Sequence, residues 1–343
     1  MGEGGPGHGV SGGAGGGAPV VSHGGDLDAA RSLFPAAPEP WIDLSTGINP
    51  VPYPCPPLEA SLLQRLPAPG DLAALLGAAA AAYGADPAGI VAAPGTQILI
   101  ETLPRLRARS RVAVVSPTYA EHAAAWARGG HAVTAVPDLD GACGAEVVVV
   151  VNPNNPDGRA WPASDLLALS ERVSARDGLL VVDEAFADLE PVRSLCPDAG
   201  PGLVVLRSFG KTYGLAGIRL GFATAGAALG QRIAAALGPW AVSGPAIAIG
   251  RAALADVAWR DAAASARRAD ADRLDRMIAR GGGRVVGGTA LFRTADFPDG
   301  PALFRRLGEA GIYVRRFAEA PQRLRFGLPP DKAAWCRLSR ILR

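Results

Sequence analysis

Apolar residues in this chain fall into short continuous runs rather than alternating ones. Residues 111–115, 146–151, 178–182 and 203–206 each read as a strand buried on both faces, the mark of a parallel sheet covered by helices. Residues 90–93 add a shorter strand, which turns at Pro94-Gly95 into a helix that starts at Thr96 and Gln97. Residues 71–83, rich in alanine and leucine and followed by Gly84, predict another helix. Asn155, Asp183 and Lys211 are spaced 28 and 28 residues apart, close to one strand–connection–strand repeat of about 30 residues. Residues at such intervals converge at neighbouring strand ends. Pro191, Pro197 and Pro201 predict an irregular connection into the last of these strands.

The pattern changes after about Pro239. Helices are expected at 246–255, 259–280, 301–310 and 331–342, and short strands at 284–286, 290–293, 312–314 and 324–328. Charges along 259–280 read as a solvated helix face. At the other end, prolines 50, 52, 54, 56 and 57 forbid a helix and predict an extended arm suited to wrapping across a partner subunit. The first 19 residues are glycine-rich and predict a disordered tail. The expected division is a tail (1–19), an arm (20–57), a large α/β domain (58–238) and a smaller α+β domain (239–343).

Composition narrows the function more than the fold. A net charge of +2 gives no case for a nucleic-acid or membrane surface, and no apolar run reaches spanning length. Cys55, Cys143, Cys196 and Cys336 have no metal-ligand spacing and read as free thiols in a reducing, cytoplasmic compartment. The first residues lack the basic start and apolar core of a secretory signal. The four histidines and four cysteines form no spaced cluster, so no metal is expected.

The chemistry-bearing residues sit at the predicted strand ends, where open α/β sheets build their sites. Lys211 follows the strand 203–206 in a glycine-punctuated loop, with Ser208 before it and Arg219 after it. Hydroxyl, amine and guanidinium there can hold an anion beside a nucleophile, although a lone lysine in a turn is otherwise a surface residue. Gly95, Thr96 and Gln97 open a helix whose free N–H groups suit a phosphate. Asp183 ends a fully apolar strand, a costly place for a carboxylate without a cationic partner. Tyr119, after the strand 111–115, reads as a core aromatic, and Asn155 sits in an Asn-Pro turn. His23-Gly24-Gly25-Asp26 reads as a turn with Asp26 near a helix N-cap, and Arg325 reads as an edge residue of a late strand.

Taken together, these segments give the chain a resemblance. Ser208-Phe209-Gly210-Lys211-Thr212-Tyr213-Gly214-Leu215-Ala216-Gly217-Ile218-Arg219 resembles the lysine segment of fold-type I enzymes that use pyridoxal 5′-phosphate, the class I/II aminotransferase superfamily. The resemblance covers about residues 20–343. It implies a mostly parallel central sheet flanked by helices, with a smaller α+β C-terminal domain. It also implies that Lys211 carries the cofactor, that Ser208, Arg219, Gly95, Thr96 and Gln97 hold its phosphate, and that Asn155 meets the ring hydroxyl. Tyr119 and Ala185 would lie on the two ring faces, and Asp183 would keep the ring nitrogen charged. Lys211, Asp183 and Tyr119 are thus the expected catalytic residues. Arg325, with Asn155, would hold the substrate carboxylate.

The overall pattern is similar to histidinol-phosphate aminotransferases. Three features are nearer to the L-threonine O-3-phosphate decarboxylases of cobalamin biosynthesis: His23-Gly24-Gly25-Asp26, Ser45-Thr46-Gly47-Ile48-Asn49-Pro50, and Phe186 in Asp183-Glu184-Ala185-Phe186. That resemblance implies a small phosphorylated amino-acid substrate, loss of CO2 and a homodimer, with amino transfer as the alternative. His23, Asn49, Arg315 and Arg323 are the candidates for the substrate phosphate. Related chains carry a tyrosine that reaches the neighbouring subunit's cofactor phosphate; this chain has Leu66 there.

Overall fold

A computed structural model describes residues 24–343. The expectations for the tail and for His23 lie outside the described residues. In chain order the strands are β1 (Ile42–Leu44), β2 (Ile90–Ala93), β3 (Arg111–Val115), β4 (Ala132–Val136), β5 (Val147–Val151), β6 (Leu179–Asp183), β7 (Leu203–Ser208), β8 (Gly221–Thr224), β9 (Arg284–Thr289), β10 (Phe292–Asp296), β11 (Ile312–Arg316) and β12 (Arg323–Gly327). They form a seven-stranded sheet, ordered β2-β8-β7-β6-β5-β3-β4, and a five-stranded sheet, ordered β1-β11-β12-β10-β9.

In the larger sheet the links from β7 to β4 are all parallel, and β8 alone runs antiparallel to its neighbours. Because β8 is reversed, its first residue lies at the same sheet end as the last residues of β2, β3, β5, β6 and β7. The segments that follow these strands, with Gly95–Gln97, Tyr119, Asn155, Asp183 and Lys211, therefore open at one end of the sheet. Burial explains the unbroken apolar runs: all five residues of β5 and of β6 are buried, with helix-borne side chains packed on both faces.

Three details depart from the sequence reading. The arm contains a short strand that its prolines did not announce: Ile42–Leu44 pairs in parallel with β11 of the same chain. The open edge of β11 is thereby satisfied within the fold. The strand expected at 290–293 begins two residues later, because Ala290 and Leu291 form the turn of a β9–β10 hairpin. That apolar pair tolerates a turn because the Ala290 N–H donates to Glu190 Oε1 and the Leu291 N–H to Thr289 Oγ1. Finally, β4 and β8 had no strong sequence signal: β4 is a half-solvated edge and β8 is only four residues long. The connection from Asp183 to β7 is irregular, broken only by the one-turn segments Ala187–Leu189 and Cys196–Asp198.

Candidate active site

A cavity of ≈ 350 Å³ opens at this sheet edge, within the range of small-ligand sites. Gly95, Thr96, Gln97, Tyr119, Asn155, Asp183, Ala185, Ser208, Lys211, Arg219 and Arg325 all line it. So do Ser45, Thr46, Gly47 and Ile48 of the arm, and Phe186.

The floor is acidic. Asp183 is 4% exposed at the end of β6; its Oδ2 accepts from His122 Nε2 at 2.9 Å and its Oδ1 from the Ala185 N–H at 3.0 Å. Burial pushes its pKa up, but the bond and charge of His122, the charge of Lys211 and the Ala185 bond outweigh it, and the net direction is down. Asp183 is thus an anion held ready for a cation. His122 was not expected from the sequence. It lies three residues after Tyr119, on the helix Ala120–Arg128 that follows β3, and only that helical spacing pointed inward.

Opposite the acid stands the amine. Lys211 sits in a one-turn helix, Phe209–Thr212, directly after β7, with its Nζ 5.2 Å from the centroid of Phe186. Burial lowers its pKa; Asp183 opposes this, while Arg325 and Arg219 add to it. The lysine is therefore nearer to the neutral, nucleophilic form than an exposed one.

One wall is built for an anion. The helix Thr96–Arg105 starts at the cavity with Gly95 as its N-cap, and Ser208 and Arg219 line the cavity beside it. Gly95 has φ +86°, and a Cβ there would lie 2.6 Å from Arg219 Nη2. The missing side chain is what lets the guanidinium lie against the helix start. Gly95→Ala should displace Arg219 and strain the turn by about 1–3 kcal/mol, weakening cofactor binding roughly tenfold. Fluorescence titration of the unloaded protein with pyridoxal 5′-phosphate would measure this.

Tyr119 donates to Gln97 Oε1 at 3.1 Å and has its pKa pushed up to about 12, first by burial. It therefore stays a neutral phenol at physiological pH. Arg325, on β12, donates through Nη2 to the Ser45 carbonyl at 2.8 Å and through Nη1 to Asn155 Oδ1. Its buried Nε has no hydrogen-bond partner, and burial, then Arg315, lower its pKa to about 10. It remains charged at neutral pH with donor capacity to spare.

The other substrate candidates are placed differently. Asn49 is 2% exposed and does not line the cavity; its side chain bonds Thr212, Val51 and Arg267. Arg323 is engaged by Asp296 at 2.7 Å, its partner in the β10–β12 register, two residues before Arg325 on β12. Arg315 lies directly across the β11–β12 register from Arg325 and outside the cavity lining.

Behind the lysine lies a second feature that the sequence reading passed over. Arg207 in β7 is 4% exposed and bonds Glu184 at 2.5 Å and also Asp188, whose Oδ2 accepts from Thr212 Oγ1 at 2.7 Å. A charged residue closing an apolar strand, and a glutamate next to Asp183, were the available signals.

The model of the aminotransferase class I and II family matches residues 59–334. The chain belongs to that family. Within it, the chain is 42% identical over 330 residues to the threonine-phosphate decarboxylase of Pseudomonas aeruginosa, covering 94% of this chain and 97% of that protein. It is 45% identical over 331 residues to a threonine-phosphate decarboxylase of Sinorhizobium sp, covering 95% and 98%. Among solved structures, the histidinol-phosphate aminotransferase of Sinorhizobium meliloti, in complex with pyridoxal-5′-phosphate, superposes with a TM-score of 0.76 at 24% identity, covering 95% of each chain. The aminotransferase fold and the mixed, mostly parallel sheet expected from the sequence are thereby shown. Among the described residues no group of three or more His, Cys, Asp or Glu is placed to hold a metal, and no helix is long and apolar enough to cross a membrane.

Proposed function

We propose that this chain is a pyridoxal 5′-phosphate-dependent decarboxylase that removes CO2 from L-threonine O-3-phosphate, leaving an aminopropanol phosphate for cobalamin biosynthesis. The observation that carries this reading is the similarity of 42% and 45%, over nearly the whole chain, to two threonine-phosphate decarboxylases. The donor set of the cavity supports it, because each part of the cofactor has a chemically matched partner. The helix start at Gly95-Thr96-Gln97, with Ser208 and Arg219, would hold the phosphate. Tyr119 and Ala185 would flank the ring, Asn155 would meet its hydroxyl, and Asp183 would hold its nitrogen protonated. The cofactor, when bound, supplies an electron sink.

The remaining work falls to the chain's own side chains. Asp183, fixed by His122, keeps a negative charge at the floor throughout the reaction. Arg325 and Asn155 grip the substrate carboxylate and orient the bond that breaks. Phe186 and the arm residues 45–48 cover the site and exclude water. Lys211 returns a proton to Cα once CO2 has left. Arg315, across the register from Arg325, adds a second positive charge on the side where the substrate phosphate would lie. Arg325→Gln should raise KM for the substrate about 10- to 100-fold, the worth of a charge-assisted hydrogen bond; steady-state kinetics checks it.

We infer further that two copies of the chain associate in a cytoplasmic homodimer. Leu58, Leu63, Leu66 and Trp240 are all exposed, and Leu66 stands where related chains carry their cross-subunit tyrosine.

The discriminating experiment supplies the protein with cofactor and L-threonine O-3-phosphate, without a 2-oxo acid. Stoichiometric CO2 release supports the decarboxylase. Amino transfer that depends on 2-oxoglutarate, without CO2, would instead establish the aminotransferase reading that the matched Sinorhizobium meliloti structure keeps in view.

A further inference from the structure

We propose that Asn49 is a positioning residue for Lys211, and that Arg267 of the long C-terminal helix holds Asn49 in place. The proposal rests on the reading of Lys211 as the cofactor-bearing lysine.

The helix that carries Lys211 is a single turn, Phe209–Thr212. A helix this short cannot hold itself, because nearly all of its carbonyl oxygens lack a partner within it. The Phe209 and Gly210 carbonyls accept from the N–H groups of Tyr213 and Leu215, at 3.1 Å each. The next three accept from the arm. The Asn49 N–H donates to the Lys211 carbonyl at 2.9 Å, Asn49 Nδ2 donates to the Thr212 carbonyl at 2.9 Å, and the Tyr53 N–H donates to the Tyr213 carbonyl at 2.8 Å. Asn49 therefore grips two consecutive carbonyls, the first belonging to the lysine itself. The docking is close: a Cβ at Gly214, which has φ +66°, would lie 2.6 Å from the Asn49 carbonyl oxygen and 2.8 Å from Pro52 Cα.

The amide is oriented from its other end. Asn49 Oδ1 accepts from the Val51 N–H at 3.1 Å and from Arg267 Nη1 at 3.3 Å. Arg267 belongs to the helix Val257–Arg280, is 8% exposed, and is fixed by two bonds to Asp270 Oδ2, at 3.0 and 2.7 Å. Two donors facing Oδ1 force Nδ2 toward the Thr212 carbonyl, so the amide has one orientation. Thr212 is held from the opposite side by Asp188. The lysine turn thus sits between a charged network behind it and an amide clamp in front of it. The clamp ties it to a helix whose inner face packs in the core of the C-terminal sheet. Asn49 lies outside the cavity lining, so it acts on the reaction only through the lysine's position.

The test compares Asn49→Ala, Asn49→Asp and Arg267→Met with the wild type, in cofactor-loaded and unloaded protein. Asn49→Ala should lower kcat for CO2 release about 30-fold with KM within twofold, since an ångström of misplacement costs about a hundredfold at most. It should also speed amide hydrogen exchange in the peptide spanning 208–216 roughly tenfold, loaded or not. Asn49→Asp keeps the acceptor for Val51 and Arg267 but turns a carboxylate oxygen on the Thr212 carbonyl, so it should match the alanine variant. Arg267→Met should shift the same two readouts in the same direction by about threefold, and it decides the matter if Asn49→Ala fails to fold. The proposal is overturned by a raised KM at unchanged kcat, which would make Asn49 a substrate ligand, by unchanged exchange, or by Asn49→Asp behaving as wild type. If wild-type protein takes up no cofactor, the functional reading fails, while the exchange comparison on unloaded protein still decides the clamp.

Discussion

Replacing Lys211 with alanine is expected to abolish the visible absorbance of the loaded protein and to cut decarboxylation by at least about a thousandfold, within the range a positioned acid–base group contributes. Among the described residues the side chain is the one amine lining the cavity, and its Nζ stands 5.2 Å from the centroid of Phe186. Its lowered pKa has a sign that can be checked. Burial disfavours the charged form, so the neutral amine persists to lower pH than for an exposed lysine. The rate of cofactor uptake should therefore titrate below the ordinary lysine value. Absorbance spectra and single-turnover CO2 release on wild type and variant, across pH, measure both effects.

Replacing Asp183 with asparagine should preserve shape and remove charge. The expected loss in kcat is on the order of 10²- to 10³-fold, as for other preorganised electrostatic contacts, with cofactor still bound. The stability consequence also has a definite direction. The native pKa of Asp183 is lowered despite burial, chiefly by His122. Its contribution is therefore full above the ordinary carboxylate range and disappears as pH falls through the lowered native pKa. Melting curves of wild type and Asp183→Asn should thus converge at acidic pH and separate toward neutrality. Unchanged kcat in the variant would mean that the acid at the floor does not face the cofactor ring.

How far the site could be read from the sequence depended on how local its signals were. Strands buried on both faces announce themselves through Val147–Val151 and Leu179–Asp183, and the residues that follow such strands must cluster at one sheet edge. That made the residues on the sheet side of the cavity legible. The arm was not: β1 is three residues long, and its partner Ile312–Val314 lies some 270 residues away. The bonds of Asn49 were hidden for the same reason, since its partners Thr212 and Arg267 are 163 and 218 residues distant. Arg323 and Arg325 share a strand face by period, but only the register shows Asp296 opposite the first and Arg315 opposite the second.

The most direct measurement is to load the protein with pyridoxal 5′-phosphate, reduce it with borohydride so that any bond to an amine becomes permanent, and map the modified peptide by mass spectrometry. One cofactor-derived mass addition per chain is expected, on Lys211, and none in Lys211→Ala. An addition on Lys332, the only other lysine in the chain, or none at all, would contradict it.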